Sequence, residues 1–283
     1  MKIQTITNIL INAGIEENEA KKEIKMLLEH FCNYTEKEAL LNKEISQEGL
    51  NLIEEKALLR AKTRMPIQHI IGQAWFMGEF FKVTPDVLIP RDETEILVKE
   101  AFELIKNKKE KLDILDIGVG SGCISCSLAK KLHNKDIEIL GVDISFEAIE
   151  TALENINKLN LVRKVILRKS DIYSKIRNCE KFDLIISNPP YIPIKEKENL
   201  QKEVLNFDPH LALFASDDKG IEFYEKIIKD APKYLKKDGF LAFEIGINQA
   251  PYIENLLKEN FKNIKIIKDL ANIERVMTAQ IKN

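Results

Sequence analysis

The stretch Leu112-Asp113-Ile114-Leu115-Asp116-Ile117-Gly118-Val119-Gly120-Ser121-Gly122 decides the architecture. Leu112 to Ile117 reads as a buried strand, and a helix over Cys123 to Leu132 follows the glycines at once. Glycine lets the backbone turn tightly and approach a ligand without a side chain in the way. The helix start adds unpaired N–H groups. Asp143 ends the next strand, 21 residues beyond Gly122. An acid there accepts hydrogen bonds from both hydroxyls of a ribose. Strand, glycine loop, helix, strand and acid together predict a site for an adenosine-containing cofactor. The dinucleotide fingerprint G-x-G-x-x-G is not met, because the loop reads G-x-G-x-G and continues Cys123-Ile124. A phosphate-binding P-loop needs Lys and Ser/Thr after the last glycine, and neither is there.

Around this stretch strands and helices alternate. Ile137 to Val142, Val165 to Leu167, Phe182 to Ser187 and Phe240 to Ile245 read as strands, and Phe146 to Leu159 as a helix. Lys219 to Leu235 reads as one long amphipathic helix, and Ile264 to Ile267 with Arg275 to Ile281 as an antiparallel edge. Such alternation predicts an α/β fold with a largely parallel sheet covered on both faces.

The first seventy residues have a different texture. Ile24, Leu27, Leu28 and Phe31 fall at i, i+3, i+4 and i+7, and Leu50, Ile53, Ala57 and Ala61 make a second stripe. Thr35-Glu36-Lys37-Glu38 has the form of a capping box. Residues 1–72 therefore read as a small helical domain, either a packing appendage or a docking surface for a macromolecule. Residues 73–90, rich in aromatic and β-branched residues between glycine and proline breaks, read as a hairpin linker. Residues 91–283 read as the α/β domain.

With 283 residues, 45% hydrophobic and 31% charged, the chain has ample material for a core. A net charge of −2 speaks against a broad nucleic-acid grip, so no direct nucleic-acid binding is expected. No segment has the length or apolarity of a membrane span, and a cytoplasmic location without membrane association is expected. Cys123 and Cys126 make a C-x-x-C without a second ligand pair, which leaves helix packing or redox and metal chemistry as readings; packing is the simpler one. The four histidines show no nucleophile or metal spacing, and no metal site is expected.

Asn188-Pro189-Pro190-Tyr191 follows the strand Phe182 to Ser187 directly. Ligands of open α/β sheets sit at the carboxyl ends of strands, where strand order switches, so this segment and the glycine loop should face one crevice. Two prolines remove two donors and leave carbonyls free to accept. Asn188 offers a further acceptor and Tyr191 a flat surface. These groups suit a planar nitrogen. An amide nitrogen is a poor nucleophile, since its lone pair is shared with the carbonyl. Acceptors on its N–H groups and an aromatic face on its plane aim it at an electrophile. Glu244, at the end of a core strand, is a further pocket candidate.

The glycine loop resembles motif I of class I methyltransferases, and Asn188-Pro189-Pro190-Tyr191 resembles motif IV of those acting on planar nitrogens. Three segments narrow the resemblance: Pro66 to Gly72 with Phe76 and Phe80, Leu88 to Glu95 (Leu-Ile-Pro-Arg-Asp-Glu-Thr-Glu), and Phe207 to Leu213. With Asn272 to Val276 they resemble the release-factor glutamine N5-methyltransferases, the HemK/PrmC family, from about residue 50 onward. The resemblance implies a Rossmann-like, mostly parallel seven-stranded sheet behind a helical N-terminal domain. It also implies methyl transfer from S-adenosylmethionine to the glutamine of the Gly-Gly-Gln motif in peptide-chain release factors, the partner proteins. By it, Asp116, Gly118, Val119, Gly120, Ser121 and Gly122 cradle the methionine portion and Asp143 holds the ribose. Asp171 and Ile172 lie at the adenine, where some members carry an aromatic residue that this chain lacks. Asn188, Pro189 and Tyr191 are the catalytic residues, and with Pro190 they bind the target glutamine. Arg91 and Glu95 shape the pocket. A sulfonium methyl is electrophilic by itself, so this chemistry calls for no metal. Rival readings are a ribosomal-protein glutamine methyltransferase, an N6-adenine DNA methyltransferase and an inert binding module on the same fold.

Overall fold

The computed structural model describes residues 2–282. In chain order the helices and strands are α1 (Lys2–Asn12), α2 (Glu17–Cys32), α3 (Glu36–Leu40), α4 (Gln47–Thr63), α5 (Ile67–Ile71), β1 (Gln73–Phe76), β2 (Glu79–Lys82), α6 (Thr94–Ile105), β3 (Leu112–Ile117) and α7 (Cys123–Lys131). Then follow β4 (Ile137–Asp143), α8 (Phe146–Lys158), β5 (Val165–Lys169), β6 (Phe182–Ser187), β7 (Ile192–Pro193), α9 (Lys202–Phe207), α10 (His210–Leu213) and β8 (Phe214–Ala215). The chain ends with α11 (Glu222–Asp230), β9 (Leu235–Glu244), α12 (Ala250–Leu257), β10 (Phe261–Lys268) and β11 (Glu274–Ile281). Two compact units result: residues 1–73 with 201–207, and residues 74–200 with 208–283. The segment 201–207 thus groups with the helical unit rather than with the α/β residues on either side of it.

In the helical unit the sequence stripes are its core. Ile24, Leu27 and Leu28 from α2 and Ile53 and Ala57 from α4 are buried together with Ile6 and Leu10 of α1. Complete burial of a Leu or Ile stabilises by about 1.5–3 kcal/mol. The capping box forms as its spacing predicts, with Glu38 accepting from the Thr35 backbone. A buried ion pair crosses this core: Arg60 donates to Glu23 from Nη2 at 2.9 Å. Glu203 of α9 joins it through Arg60 Nη1 at 3.4 Å and also pairs with Arg64 at 2.5 Å. No periodicity signals such a pair.

In the α/β unit the described residues form a seven-stranded sheet of order β10-β11-β9-β6-β3-β4-β5. Neighbours from β9 to β5 run parallel, and β11 is antiparallel to both β9 and β10. Alternate residues segregate to two cores. Leu115, Leu140, Val142, Ile185 and Phe243 pack on one face, and Ile114, Ile139, Leu184, Ile186 and Ala242 on the other. Burial on both faces explains why these strands read as near-continuous apolar runs. The chain leaves β3 toward β4 and β5 and returns to β6 on β3's other side, so strand order switches between β3 and β6.

The expected helix Lys219 to Leu235 is shorter. Asp217 accepts backbone N–H groups from Lys219, Ile221 and Glu222 at 2.9–3.0 Å, which holds the entry as a turn. Gly220 sits at φ +70. Pro232 then converts the end to a 3-10 turn, and β9 begins at Leu235.

Candidate functional site

β3 and β6 pair side by side through Ile117 and Ser187, so their next residues, Gly118 and Asn188, leave the sheet together. The Ser187 hydroxyl reinforces this by donating to the Ile117 carbonyl at 2.7 Å. A methyl group placed on Gly118 would stand 3.9 Å from the Asn188 carbonyl oxygen. Both loops line one cavity of about 500 Å3 in the α/β unit.

The glycine loop is shaped by its own backbone. Gly118, Gly120 and Gly122 have φ of +76, +52 and +79, values that side chains rarely adopt. The Gly118 and Val119 N–H groups both reach the Val142 carbonyl, at 2.8 and 2.9 Å, which ties the loop to the end of β4. Gly118, Val119, Gly120 and Ser121 line the cavity. Gly122 does not. A side chain there would meet Ala152 of α8 at 3.3 Å, so its role is to let α7 and α8 approach.

Two acids frame this loop. Asp143 accepts from Gly120 N–H at 3.0 Å and from Ser145 N–H at 2.9 Å, and faces the cavity. A carboxylate has about four lone-pair sites, so acceptor capacity remains for two hydroxyls. Burial raises its pKa. Asp116 lies deeper, fully buried beneath the loop, outside the cavity wall. Ser125 donates to its Oδ2 at 2.6 Å, while Oδ1 has no partner. Burial pushes this carboxyl up to about 7. An orphaned acceptor of this kind beside an open glycine loop fits a ligand with a cationic donor.

The cavity wall at Asp171 and Ile172 carries a departure from ordinary backbone. Ile172 lines the cavity with φ +46, a conformation costing a β-branched residue roughly 1–3 kcal/mol. The Ser170 hydroxyl donates to its carbonyl at 3.0 Å and accepts from Lys175 N–H at 3.0 Å, which holds the turn. Asp171 lines the same wall. Tyr173 is turned into the core, stacked on Tyr234 with ring centres 4.5 Å apart. Aliphatic Ile172, Ile144 and Leu211 supply the apolar surface here.

Asn188, Pro189 and Pro190 line the cavity, and Tyr191 stands just behind them. Their support comes from distant sequence. Asn188 Nδ2 donates to Thr94 Oγ1 at 3.3 Å, and Thr94 donates to Glu244 Oε2 at 2.6 Å. The Tyr191 hydroxyl donates to Glu244 Oε1 at 3.4 Å. Gln249 Nε2 donates to the Tyr191 carbonyl at 2.9 Å and its Oε1 accepts from Gly246 N–H at 2.9 Å. Burial pushes Glu244 up to about 7 and also raises Tyr191.

Arg91 reaches the cavity and is paired with Asp208, whose side chain is buried. Glu95, expected in the pocket, is not in its wall. It accepts from the Met77 N–H at 2.8 Å and pairs with Lys99, so it fixes the β1–β2 turn. The neighbouring Thr94 takes the place at the cavity. Thr94 and Asp208 lie inside segments whose pattern marked the region without marking the residue. Gln249 carries no sequence signal. Cys123, which also lines the cavity, and Cys126 are buried in α7, and burial pushes the Cys123 thiol up to about 12 and that of Cys126 higher still.

Residues 93–207 match the methyltransferase small domain and residues 3–72 the PrmC N-terminal domain. The catalytic domain of hMettl16, solved with a MAT2A 3'UTR hairpin, superposes with a TM-score of 0.58 at 17% identity, covering 81% of this chain and 83% of that one. Human methyltransferase 10 domain containing protein gives 0.52 at 17%, covering 72% and 88%. Both are similar in fold alone. In sequence, the release factor glutamine methyltransferase of Fusobacterium nucleatum is 44% identical over 85% of this chain and 67% of its own length. Those of Flavobacterium psychrophilum and Streptococcus pneumoniae are each 38% identical, over 93% and 95% of this chain and 92% and 93% of theirs. On the strength of these matches, the chain belongs to the release factor glutamine methyltransferase family.

Proposed function

We propose that this chain transfers a methyl group from S-adenosylmethionine to the side-chain amide nitrogen of the glutamine in the Gly-Gly-Gln motif of peptide-chain release factors. The observation that carries the reading is the convergence of the Gly118 and Asn188 loops on one cavity at the strand-order switch. The family relatives, named for the same activity, support it.

The residues present fit the cofactor. Orphaned Asp116 Oδ1 would take its amino group, Gly118 to Ser121 would lie along its methionine portion, Asp143 would hold the ribose hydroxyls, and Asp171 and Ile172 would flank the adenine. When bound, S-adenosylmethionine supplies a methyl group made electrophilic by its sulfonium. The chain's own work is orientation. Asn188 Oδ1 and the carbonyls of the proline pair accept the two N–H bonds of the target amide, and Pro189 and Pro190 supply no competing donor. Alignment of this kind can lower a barrier by roughly 7–11 kcal/mol. In the balanced reaction the S–CH3 bond would break to leave a neutral thioether, the N–CH3 bond would form, and the nitrogen's proton would pass to solvent, leaving a neutral N-methyl amide. Residues 1–72 would dock the release factor.

Mass spectrometry of a purified release factor incubated with enzyme and S-adenosylmethionine tests this. One added methyl on the Gly-Gly-Gln glutamine supports the reading. Transfer only to a ribosomal protein, or to DNA, overturns it.

A further inference from the structure

Asn188 has one polar neighbour whose direction of donation is fixed by a third group. Thr94 opens α6 and Glu244 ends β9; both are buried at 3% exposure. The Thr94 hydroxyl, 2.6 Å from Glu244 Oε2 and 3.3 Å from Asn188 Nδ2, bridges them. We infer that Thr94 and Glu244 are positioning residues that decide which end of the Asn188 carboxamide faces the cavity. The inference rests on the reading of Asn188 as the acceptor for the target amide.

A hydroxyl has a single proton. While Glu244 is ionised, Thr94 gives that proton to the carboxylate and can only accept from Asn188. Only Nδ2 of a carboxamide donates, so Nδ2 turns to Thr94 and Oδ1 turns away from it, toward the cavity. The two ends of the amide have nearly the same shape, so packing alone hardly distinguishes them. Protonation of Glu244 reverses the chain. The carboxyl then donates, the Thr94 proton is free to point at Asn188, and Nδ2 is presented where a target N–H has to be received.

Glu244 is placed to titrate. The groups facing it are the Tyr191 hydroxyl from the proline loop, Glu93 just before α6, Thr94 from α6, Arg275 from β11, Tyr224 from α11 and Cys123 from α7. Burial raises its pKa to about 7, Glu93 adds to this, and Arg275 and the bonds from Thr94 and Tyr191 oppose it. Asp116 also titrates near neutrality, so cofactor must be saturating for the two to be separated.

The test is kcat against pH for release factor at saturating S-adenosylmethionine, with cofactor affinity measured in parallel. In the wild type, kcat should fall about tenfold per pH unit below about pH 7. Glu244→Gln should lose that acid limb. Thr94→Val should lose about a hundredfold in kcat with cofactor affinity retained, and Thr94→Ser should restore most of it. A wild-type kcat flat through neutrality needs no variant and overturns the proposal, as does an acid limb that persists in Glu244→Gln. Wild-type transfer with turnover unmoved in Thr94→Val overturns the proposal alone. A wild type that never methylates the release factor overturns the functional reading and the proposal with it.

Discussion

The two loops that meet at the cavity are built by opposite means. Gly118 to Gly122 takes its shape chiefly from its own backbone, with three positive φ angles and hydrogen bonds to the adjoining strand end, and is pinned by two side chains, Asp143 on Gly120 N–H and Asn155 on the Ser121 carbonyl. Asn188 to Tyr191 is shaped internally only by its prolines. It is held in place by Thr94, Glu244, Gly220 and Gln249, from three other parts of the chain. A cradle for a cofactor can be rigid and local. An acceptor for a protein side chain has to be aimed, and its aim is set by side chains it does not contain.

The contrast can be broken most sharply at Asn188. Asn188→Ala should lower turnover by at least about a hundredfold, with cofactor affinity within about tenfold of wild type. Unchanged kcat in a methyl-transfer assay would refute the assigned role.

Gly220→Ala should have the next largest effect. The added carbon would stand 2.0 Å from the Tyr191 carbonyl oxygen and 2.5 Å from Gln249 Nε2, on a backbone at φ +70. Destabilisation of about 3 kcal/mol is expected in a denaturant titration, with turnover lost at temperatures where the fold survives. Gly118→Ala meets no such obstacle and carries only the left-handed strain of about 1–2 kcal/mol. It should weaken cofactor binding, read by calorimetry, while sparing the Asn188 loop. Equal effects from the two glycines would erase the distinction.

Asp116 gives a smaller effect with a definite sign. Burial raises its folded pKa to about 7, above the ordinary aspartate value of 3.8. Between these values the folded state holds the proton that the unfolded state has lost. The stability it contributes is therefore fully present at low pH and declines as pH rises from about 4 to 7. Asp116→Asn should raise the melting temperature of the ligand-free protein at neutral pH and weaken cofactor binding. A lower melting temperature together with intact binding would contradict the assignment of Oδ1 to a cationic ligand group.

What the sequence revealed follows the same division. β3 and the glycine loop are legible because their constraints fall on consecutive residues: an apolar run buried on both faces, then backbone turns that require glycine. The Asn-Pro-Pro-Tyr loop is legible as chemistry, yet its supports are not. Thr94 and Glu244 lie 150 positions apart and meet only because α6 and β9 pack together. The resemblance implies Glu95 at the pocket, but one residue along a helix turns a side chain by about 100°. That rotation sends Glu95 to Met77 and leaves the cavity to Thr94. The overlong helix at Lys219 has a similar cause. Its apolar period continues, but the Asp217 carboxylate captures the first N–H groups and Pro232 ends the ladder.

The most direct measurement is a crystal structure with S-adenosylhomocysteine and a Gly-Gly-Gln peptide bound together. The cofactor should lie along Gly118 to Ser121 with its ribose on Asp143, and Asn188 Oδ1 should accept from the glutamine amide beside the cofactor sulfur. A cofactor bound elsewhere, or an Asn188 side chain turned away from the glutamine, would contradict the account.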